Sequence, residues 1–288
     1  MHRRSLFGAA AVMAFGARAV RARAAQPRPL RIGVTAVILS DQAAFLARWA
    51  DYLSQRIGVP LSFMARDEYQ PILDLLLDKQ LDAAWICGYP YVRHQQRLRL
   101  LAAPLYQGRP LYQSYLIRAT AGNARPSSWA DLRGKVLAYS DPLSNSGWLV
   151  AQGRLAAAGL KPDDLRHTFF AHGHRNVAEA VAAQLADAGA IDGYVWETMR
   201  QLNMPAAMQT EVLWKSPLYG FPPIVSVAAQ HSAVHDALQK ALLVMPDDAT
   251  GRALLADLNL DGFVPAEPAL FESVQQLLDV VRGSRLAA

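Results

Sequence analysis

The stretch Lys135-Val-Leu-Ala-Tyr-Ser-Asp-Pro-Leu-Ser-Asn-Ser-Gly-Trp148 constrains the fold of this chain more than any other. Val136 to Tyr139 is a short apolar run between Gly134 and Asp141-Pro142, which reads as a buried strand. Trp148, Leu149, Val150 and Leu155 then set an apolar face at helical spacing, and 156–158 is a run of alanine. A buried strand that turns straight into a helix belongs to an α/β layer structure. Ser144, Asn145, Ser146 and Gly147 occupy the turn between them. The first turn of a helix has unpaired N–H groups and a partial positive charge. Two hydroxyls, an amide and a glycine at that place form either an oxyanion cradle or a local helix cap.

The same alternation of strand and helix runs through the rest of the chain. Apolar runs at 30–35, 59–64 and 82–87 read as strands, and 98–105 and 112–118 as two more. Asp41 is placed to cap a helix carrying Phe45, Leu46, Trp49 and Leu53, with Gly58 near its end. Tyr69 opens a second helix through Ile72, Leu73, Leu76 and Leu77. Beyond a loop at 122–128, strands are expected at 136–139, 165–171 and 188–195, with a helix through Val177, Val181 and Leu185. Strands at 211–214 and 224–229 follow, then helices at 234–245 and 270–281. The alternation falls into two blocks, and the last block can pack on the first. The chain then crosses between two lobes near 116–119 and near 214–219. A cleft between lobes is a common place for small ligands.

The formal charge of +5 would point to nucleic acid or a membrane surface if it were spread over the fold. It is not. Arg3, Arg4, Arg18, Arg21 and Arg23 lie in the first 25 residues, which contain no acid. Without those five, the remaining 24 basic residues balance 24 acidic ones. Residues 1–25 read as an export signal: Arg3-Arg4, a short apolar run over 5–17, and Ala22-Arg23-Ala24 as a small-x-small cleavage site. Arg-Arg-Ser-Leu-Phe resembles the twin-arginine type, with the Sec route as the alternative. The protein is expected in the periplasm. Cys87 is the one cysteine, so no disulfide joins two parts of the chain.

In α/β sheets ligands collect beyond the carboxyl ends of strands. Four such ends carry polar groups: Tyr69, Cys87 to Tyr91, Ser144 to Gly147, and His172 to Asn176. His174 can donate to an oxyanion, or cap its helix together with Asn176. Glu197 follows an expected strand end, where it faces a ligand or lies on the surface. Cys87 is either a small apolar residue or a soft ligand for a thiophilic species such as arsenite. Ser144 or Ser146 with His174 as base would suit a nucleophilic enzyme, but no G-x-S-x-G elbow and no orienting acid accompany them. His167, His172 and His174 lack evident carboxylate or thiolate partners for a metal. Trp85, Trp129, Trp148, Trp196 and Trp214 read as core rather than as a ligand cage.

Asp141-Pro-Leu-Ser-Asn-Ser-Gly147 resembles the Asp-Pro-x-Ser-Thr-Ser-Gly signature of the PhnD-like family, the periplasmic phosphonate- and phosphite-binding proteins of ABC transporters. Gly173-His-Arg-Asn-Val177 resembles the family's Gly-x-His segment. Leu185-Ala-Asp-Ala-Gly-Ala-Ile-Asp192, and Asp82-Ala-Ala-Trp85 followed by Tyr91, resemble further family segments. The resemblance implies an α/β protein of the type II periplasmic-binding fold, two lobes closing over an oxyanion. Residues 26–117 and 215–288 would form the first lobe, and 118–214 the second. Carried over by position, Ser144, Asn145, Ser146 and His174 face the anion, with Tyr69 and Tyr91 covering it. Two departures stand out: Asn145 replaces the usual Thr, and Cys87-Gly-Tyr-Pro90 replaces a glycine-proline loop. The implied role is capture of a phosphonate, phosphite or phosphate-like ion by a monomer for an inner-membrane permease, without cofactor, metal or nucleic acid. The alternative is a ligand sensor feeding a membrane histidine kinase.

Overall fold

The computed structural model describes residues 28–35, 42–122 and 125–286; the export signal and the Asp41 cap lie outside them. In chain order the first part runs β1 (Leu30–Val34), α1 (Gln42–Ile57), β2 (Leu61–Ala65), α2 (Tyr69–Leu77), β3 (Ala83–Trp85), α3 (Gly88–His94), β4 (Leu98–Leu105), β5 (Leu111–Tyr112) and β6 (Ser114–Ala119). The middle runs β7 (Val136–Tyr139), a π turn at Asn145–Leu149, α4 (Val150–Ala157), β8 (His167–Phe170), α5 (His174–Ala182), β9 (Ala188–Asp192), α6 (Gly193–Gln201), α7 (Pro205–Met208) and β10 (Thr210–Lys215). The last part holds β11 (Tyr219–Gly220), β12 (Ile224–Val227), α8 (Ala233–Leu243), α9 (Ala249–Asp257), β13 (Gly262–Pro265) and α10 (Glu272–Leu286).

Two mixed sheets organise the chain. One has the order β13-β4-β12-β3-β1-β2, the other β10-β6-β9-β7-β8. Each is built on three parallel strands with the first in the middle: β1 between β2 and β3, and β7 between β8 and β9. Each then continues through an antiparallel strand, β12 beside β3 and β6 beside β9. Parallel strands need crossover helices, which bury both faces. That is why β7 and β9 are buried at every position and read as continuous apolar runs.

The first sheet packs on α1 through an aromatic cluster. Trp49 stacks on Phe63 at 4.8 Å between ring centroids and meets Trp85 edge-on at 6.1 Å. α1 ends at Gly58, whose φ of 77° is the left-handed conformation that closes a helix and favours glycine.

The two sheets are joined by a small ribbon in which β5 pairs with β11. Its position corrects the expected lobe boundaries. β6 belongs to the second sheet from Ser114 onward, so a division between 117 and 118 would cut a strand. β10 likewise runs on to Lys215 in the same sheet. The expected strand over 188–195 also stops early, at Asp192, and α6 begins at Gly193. Gly88 to Tyr91, expected as a strand end, opens α3. α10 was expected on the first lobe alone. It also lies on α4 of the second, so closely that a Cβ at Gly153 would come 2.8 Å from Leu277 Cδ1. Among the described residues no helix is long and apolar enough to cross a membrane.

Candidate functional site

The carboxyl ends of β1–β3 and of β7–β9 face each other, and the polar strand ends meet between the lobes. From the second lobe, β7 leads through Ser140 and Asp141 to the π turn. Ser144 caps that turn, its Oγ accepting from Gly147 N–H at 2.9 Å. Ser144 is therefore a helix cap, and the π turn arises because Leu149 N–H reaches back to Ser144 O at 3.0 Å. The backbone is held from behind as well, with Ser114 Oγ donating to Ser146 O at 2.7 Å.

Asn145 and Ser146 project toward the first lobe. Asn145 N–H points at Cys87 Sγ, 3.2 Å away, and Asn145 Nδ2 donates to Tyr112 Oη at 3.1 Å. Both residues are fully buried, yet Asn145 Oδ1 and Ser146 Oγ have no hydrogen-bond partner. Leaving a buried polar atom unpaired costs about 1–3 kcal/mol. Two such atoms on consecutive residues, at the join of two lobes, mark a place shaped for something polar.

His174 stands beside them at the first turn of α5. Its Nδ1 accepts the Asp192 N–H at 3.1 Å, which requires that nitrogen to be unprotonated. Nε2 therefore carries the hydrogen, and it lies 3.1 Å from Tyr69 Oη of the first lobe. Burial pushes the imidazole down to about 3, so it is neutral throughout the physiological range. A neutral N–H donor, not a cation, is what this histidine offers.

Asp141 ties the lobes together. Its Oδ1 accepts from Leu143 N–H at 2.7 Å within its own loop, and its Oδ2 accepts from Tyr69 N–H at 3.0 Å. Tyr69 is the first residue of α2, so the carboxylate of one lobe sits on the helix terminus of the other. Burial raises the Asp141 carboxyl, and the two N–H donors oppose that rise.

Burial also sets the other titrating groups. Cys87 is raised to about 11, so it is a neutral thiol. Tyr69 and Tyr112 are raised well above the phenol range, by burial first and then by neighbouring Cys87. Asp192 caps α6, accepting from Tyr194 N–H at 2.9 Å, and burial lifts it to about 7. The folded protein thus keeps the Asp192 proton at mildly acidic pH while the unfolded chain has lost it. This contribution to stability is present at acid pH and lost as pH rises through about 7. His174 works the other way, because below the ordinary imidazole range the unfolded chain takes up a proton that the folded site refuses. Asparagine caps helices as well as aspartate and has no proton to lose. Asp192→Asn should therefore gain stability relative to wild type between about pH 5 and about pH 8. Thermal melts of both proteins at the two pH values would show it, and a difference independent of pH would mean that the carboxyl is already ionised at the lower one.

Of the residues singled out in the sequence, the structure brings together Tyr69, Cys87, Ser144, Asn145, Ser146 and His174. Tyr91 turns its ring to Phe271, at 4.8 Å between centroids. Its neighbour Tyr89 reaches the second lobe instead, stacking on Trp148 at 5.9 Å. Glu197 is not at a strand end. It lies on α6, where its carboxylate accepts from the Tyr106 and Tyr115 hydroxyls, with Lys215 Nζ 3.7 Å away. Sequence reasoning missed Asp141, Tyr112 and Asp192. The one available signal was a lone acid closing an apolar strand, which both aspartates show. None of the residues gathered here is a lysine or arginine. Among the described residues no cluster of His, Cys, Asp and Glu could hold a metal ion.

Comparison with known proteins gives this geometry a family. The fold matches a binding-protein component of a Pseudomonas aeruginosa ABC phosphonate transporter with a TM-score of 0.82, at 21% identity over 90% of this chain and 88% of that one. It matches PhnD1 from Prochlorococcus marinus, solved with methylphosphonate, with a TM-score of 0.77, at 18% identity over 87% and 97%. The aliphatic sulphonate binding protein SsuA of Escherichia coli follows at 0.60, with 19% identity over 90% and 88%. At these identities the likeness is one of fold, the type II periplasmic-binding architecture. The family itself rests on the sequence: residues 32–271 match the model for the phosphonate substrate-binding protein of ABC transporters. The chain belongs to that family of periplasmic substrate-binding proteins.

Proposed function

We propose that the cleft captures a small phosphorus oxyanion, a phosphonate, phosphite or phosphate-like ion, and that the closed protein delivers it to a permease in the inner membrane. One observation carries this reading: the Ser146 hydroxyl is fully buried without a hydrogen bond at a helix tip, and His174 of the same lobe presents a neutral Nε2–H. The anion would sit at the helix tip formed by Asn145, Ser146 and Gly147. The Ser146 hydroxyl and His174 supply its donors, while the Asn145 and Gly147 N–H groups are held by Cys87 Sγ and Ser144 Oγ. Tyr69 and Cys87 approach from the first lobe, and the β5–β11 ribbon is the hinge. Residues 1–25 would be removed on export.

Binding rather than catalysis fits the hydrogen bonds. A base for Ser144 or Ser146 needs a lone pair facing the hydroxyl. His174 has its lone pair on Nδ1, where the Asp192 N–H occupies it, and a group that protonates at about 3 is a weak base. The family's description as a transporter component favours a permease over a sensor kinase as the partner.

A thermal-shift screen with methylphosphonate, phosphite, phosphate, sulfate and arsenite would test the reading. A ligand at a hundred times its Kd stabilises the native state by about 2.7 kcal/mol. For a chain of this size that is a rise of about 5–10 °C. A phosphorus oxyanion should give it. A shift with arsenite alone, lost in Cys87→Ser, would make the thiol the ligand-binding group and overturn this proposal.

A further inference from the structure

An oxyanion cradle is expected to offer donors only, because every oxygen of a fully ionised ligand is an acceptor. This one also offers an acceptor. The Asn145 amide is held in one orientation by its surroundings. Its Nδ2 donates to Tyr112 Oη at 3.1 Å, and the Tyr112 hydroxyl has Cys87 Sγ and the Ser146 hydroxyl beside it to take the phenolic hydrogen. Oδ1 is then turned away from Tyr112 and is fully buried with no partner. Ser146, the next residue, is fully buried at the same tip. Nothing in the ligand can satisfy Asn145 Oδ1 except a hydrogen.

We propose that Asn145 makes the cleft selective for an oxyanion that still carries one proton, the monoanion of a phosphonate or phosphite, whose P–O–H donates to Asn145 Oδ1. The inference rests on the phosphorus-oxyanion reading above. The charges around the site favour the same state. Among the described residues the titratable groups around it are Tyr69 from α2, Cys87 before α3, Tyr112 from β5, Asp141 after β7, His174 from α5 and Asp192 from β9. His174, Cys87 and the two tyrosines are neutral, and the other two are carboxyl groups. Further out, Glu68 faces His172 at 3.5 Å near Asp141, and Glu197 bears on Asp192. A dianion would therefore meet an amide oxygen and two carboxyl groups, with no lysine or arginine among these groups. Asn145 stands where the family signature carries Thr, whose hydroxyl can donate or accept. The amide oxygen can only accept, so the discrimination belongs to this chain's residue.

Calorimetric titration with methylphosphonate and with phosphite, across the second ionisation of each, tests the proposal. Below that ionisation the affinity should be level, and above it the apparent Kd should rise about tenfold per pH unit as the bindable form is depleted. The break should move with the ligand's own ionisation, which differs between the two; a break caused by Asp192 would stay at one pH for both. Methanesulfonate has the same shape and a single charge but no proton, and it should bind at least tenfold more weakly than methylphosphonate at the acidic end. Asn145→Thr should flatten the pH dependence and narrow the gap to the sulfonate. A fixed break, an affinity that rises with pH, or equal binding of the sulfonate overturns the proton selection and leaves oxyanion capture standing. If neither phosphorus oxyanion binds at any pH, the capture reading fails and this one with it.

Discussion

Gly147→Ala should abolish ligand binding and lower the melting temperature by about 5–10 °C. A Cβ at this position would lie 1.8 Å from Ser140 Oγ, 2.7 Å from Ser140 Cβ and 3.1 Å from Ser144 Oγ. Ser140 Oγ makes no hydrogen bond and can rotate, but Ser140 Cβ and Ser144 Oγ cannot easily retreat. Ser140 N–H donates to Gly147 O at 3.2 Å, and Ser144 Oγ accepts from Gly147 N–H at 2.9 Å, so both are tied to the residue that would push them. Relief requires the tip to move as a unit, which carries Asn145 and Ser146 away from His174. Overpacking of this kind costs about 1–3 kcal/mol in stability. Its effect on binding is larger, because a shift of about 1 Å breaks several hydrogen bonds at once. Ser140→Gly removes the obstructing atoms, so the double variant Ser140→Gly/Gly147→Ala should recover part of both losses. Melting curves and calorimetry on the three variants would measure it. A Gly147→Ala protein that melts and binds like wild type would show that the tip is not packed as described.

His174→Ala and Ser146→Ala should each weaken binding by about tenfold to a hundredfold, since a hydrogen bond to a charged group contributes about 1.5–3 kcal/mol. The histidine variant should sit at the upper end. It loses the Nε2–H donor and also leaves the Asp192 N–H without its acceptor. The pH dependence distinguishes a neutral donor from a cation. Because the imidazole protonates only at about 3, the ratio of wild-type to His174→Ala affinity should be constant from neutral to mildly acidic conditions. A ratio that grows on acidification would mean that His174 is charged when it binds, which the Asp192 N–H at Nδ1 contradicts. If both alanine variants bind the ligand of the screen as tightly as wild type, the helix tip is not where the anion sits.

The architecture was legible in the sequence because its signals are local. Strand β7 over Val136–Tyr139, the helix opening at Tyr69 and the cap at Ser144 depend on runs of a few residues and on which side chains can reach their own backbone. The paired blocks of alternation likewise contained the two sheets, and the Ser144 to Gly147 turn contained the candidate site. The boundaries between lobes were not legible. Apolar residues at 112–118 say strand, but not which sheet that strand joins; the pairing of β6 with β9 decides it. α9 and β13 escaped notice for a related reason, since short segments of mixed polarity become helix or strand through what they pack on.

The charge states at the site belong wholly to tertiary structure. From the sequence, His174 could be a cation or a neutral donor, and Asp141 no more than the end of a strand before proline. The Asp192 N–H on Nδ1 and the exclusion of water fix the histidine as neutral. Asp141 finds its partner in Tyr69 N–H, 72 residues away, once the lobes meet. Glu197, read as a ligand-facing acid, is drawn instead to two tyrosine hydroxyls and Lys215. Local sequence places the residues that stand at the strand ends and helix tips. Whether each is charged, paired or left with an unsatisfied atom follows from desolvation and from partners distant in the chain, and both exist only in the folded molecule.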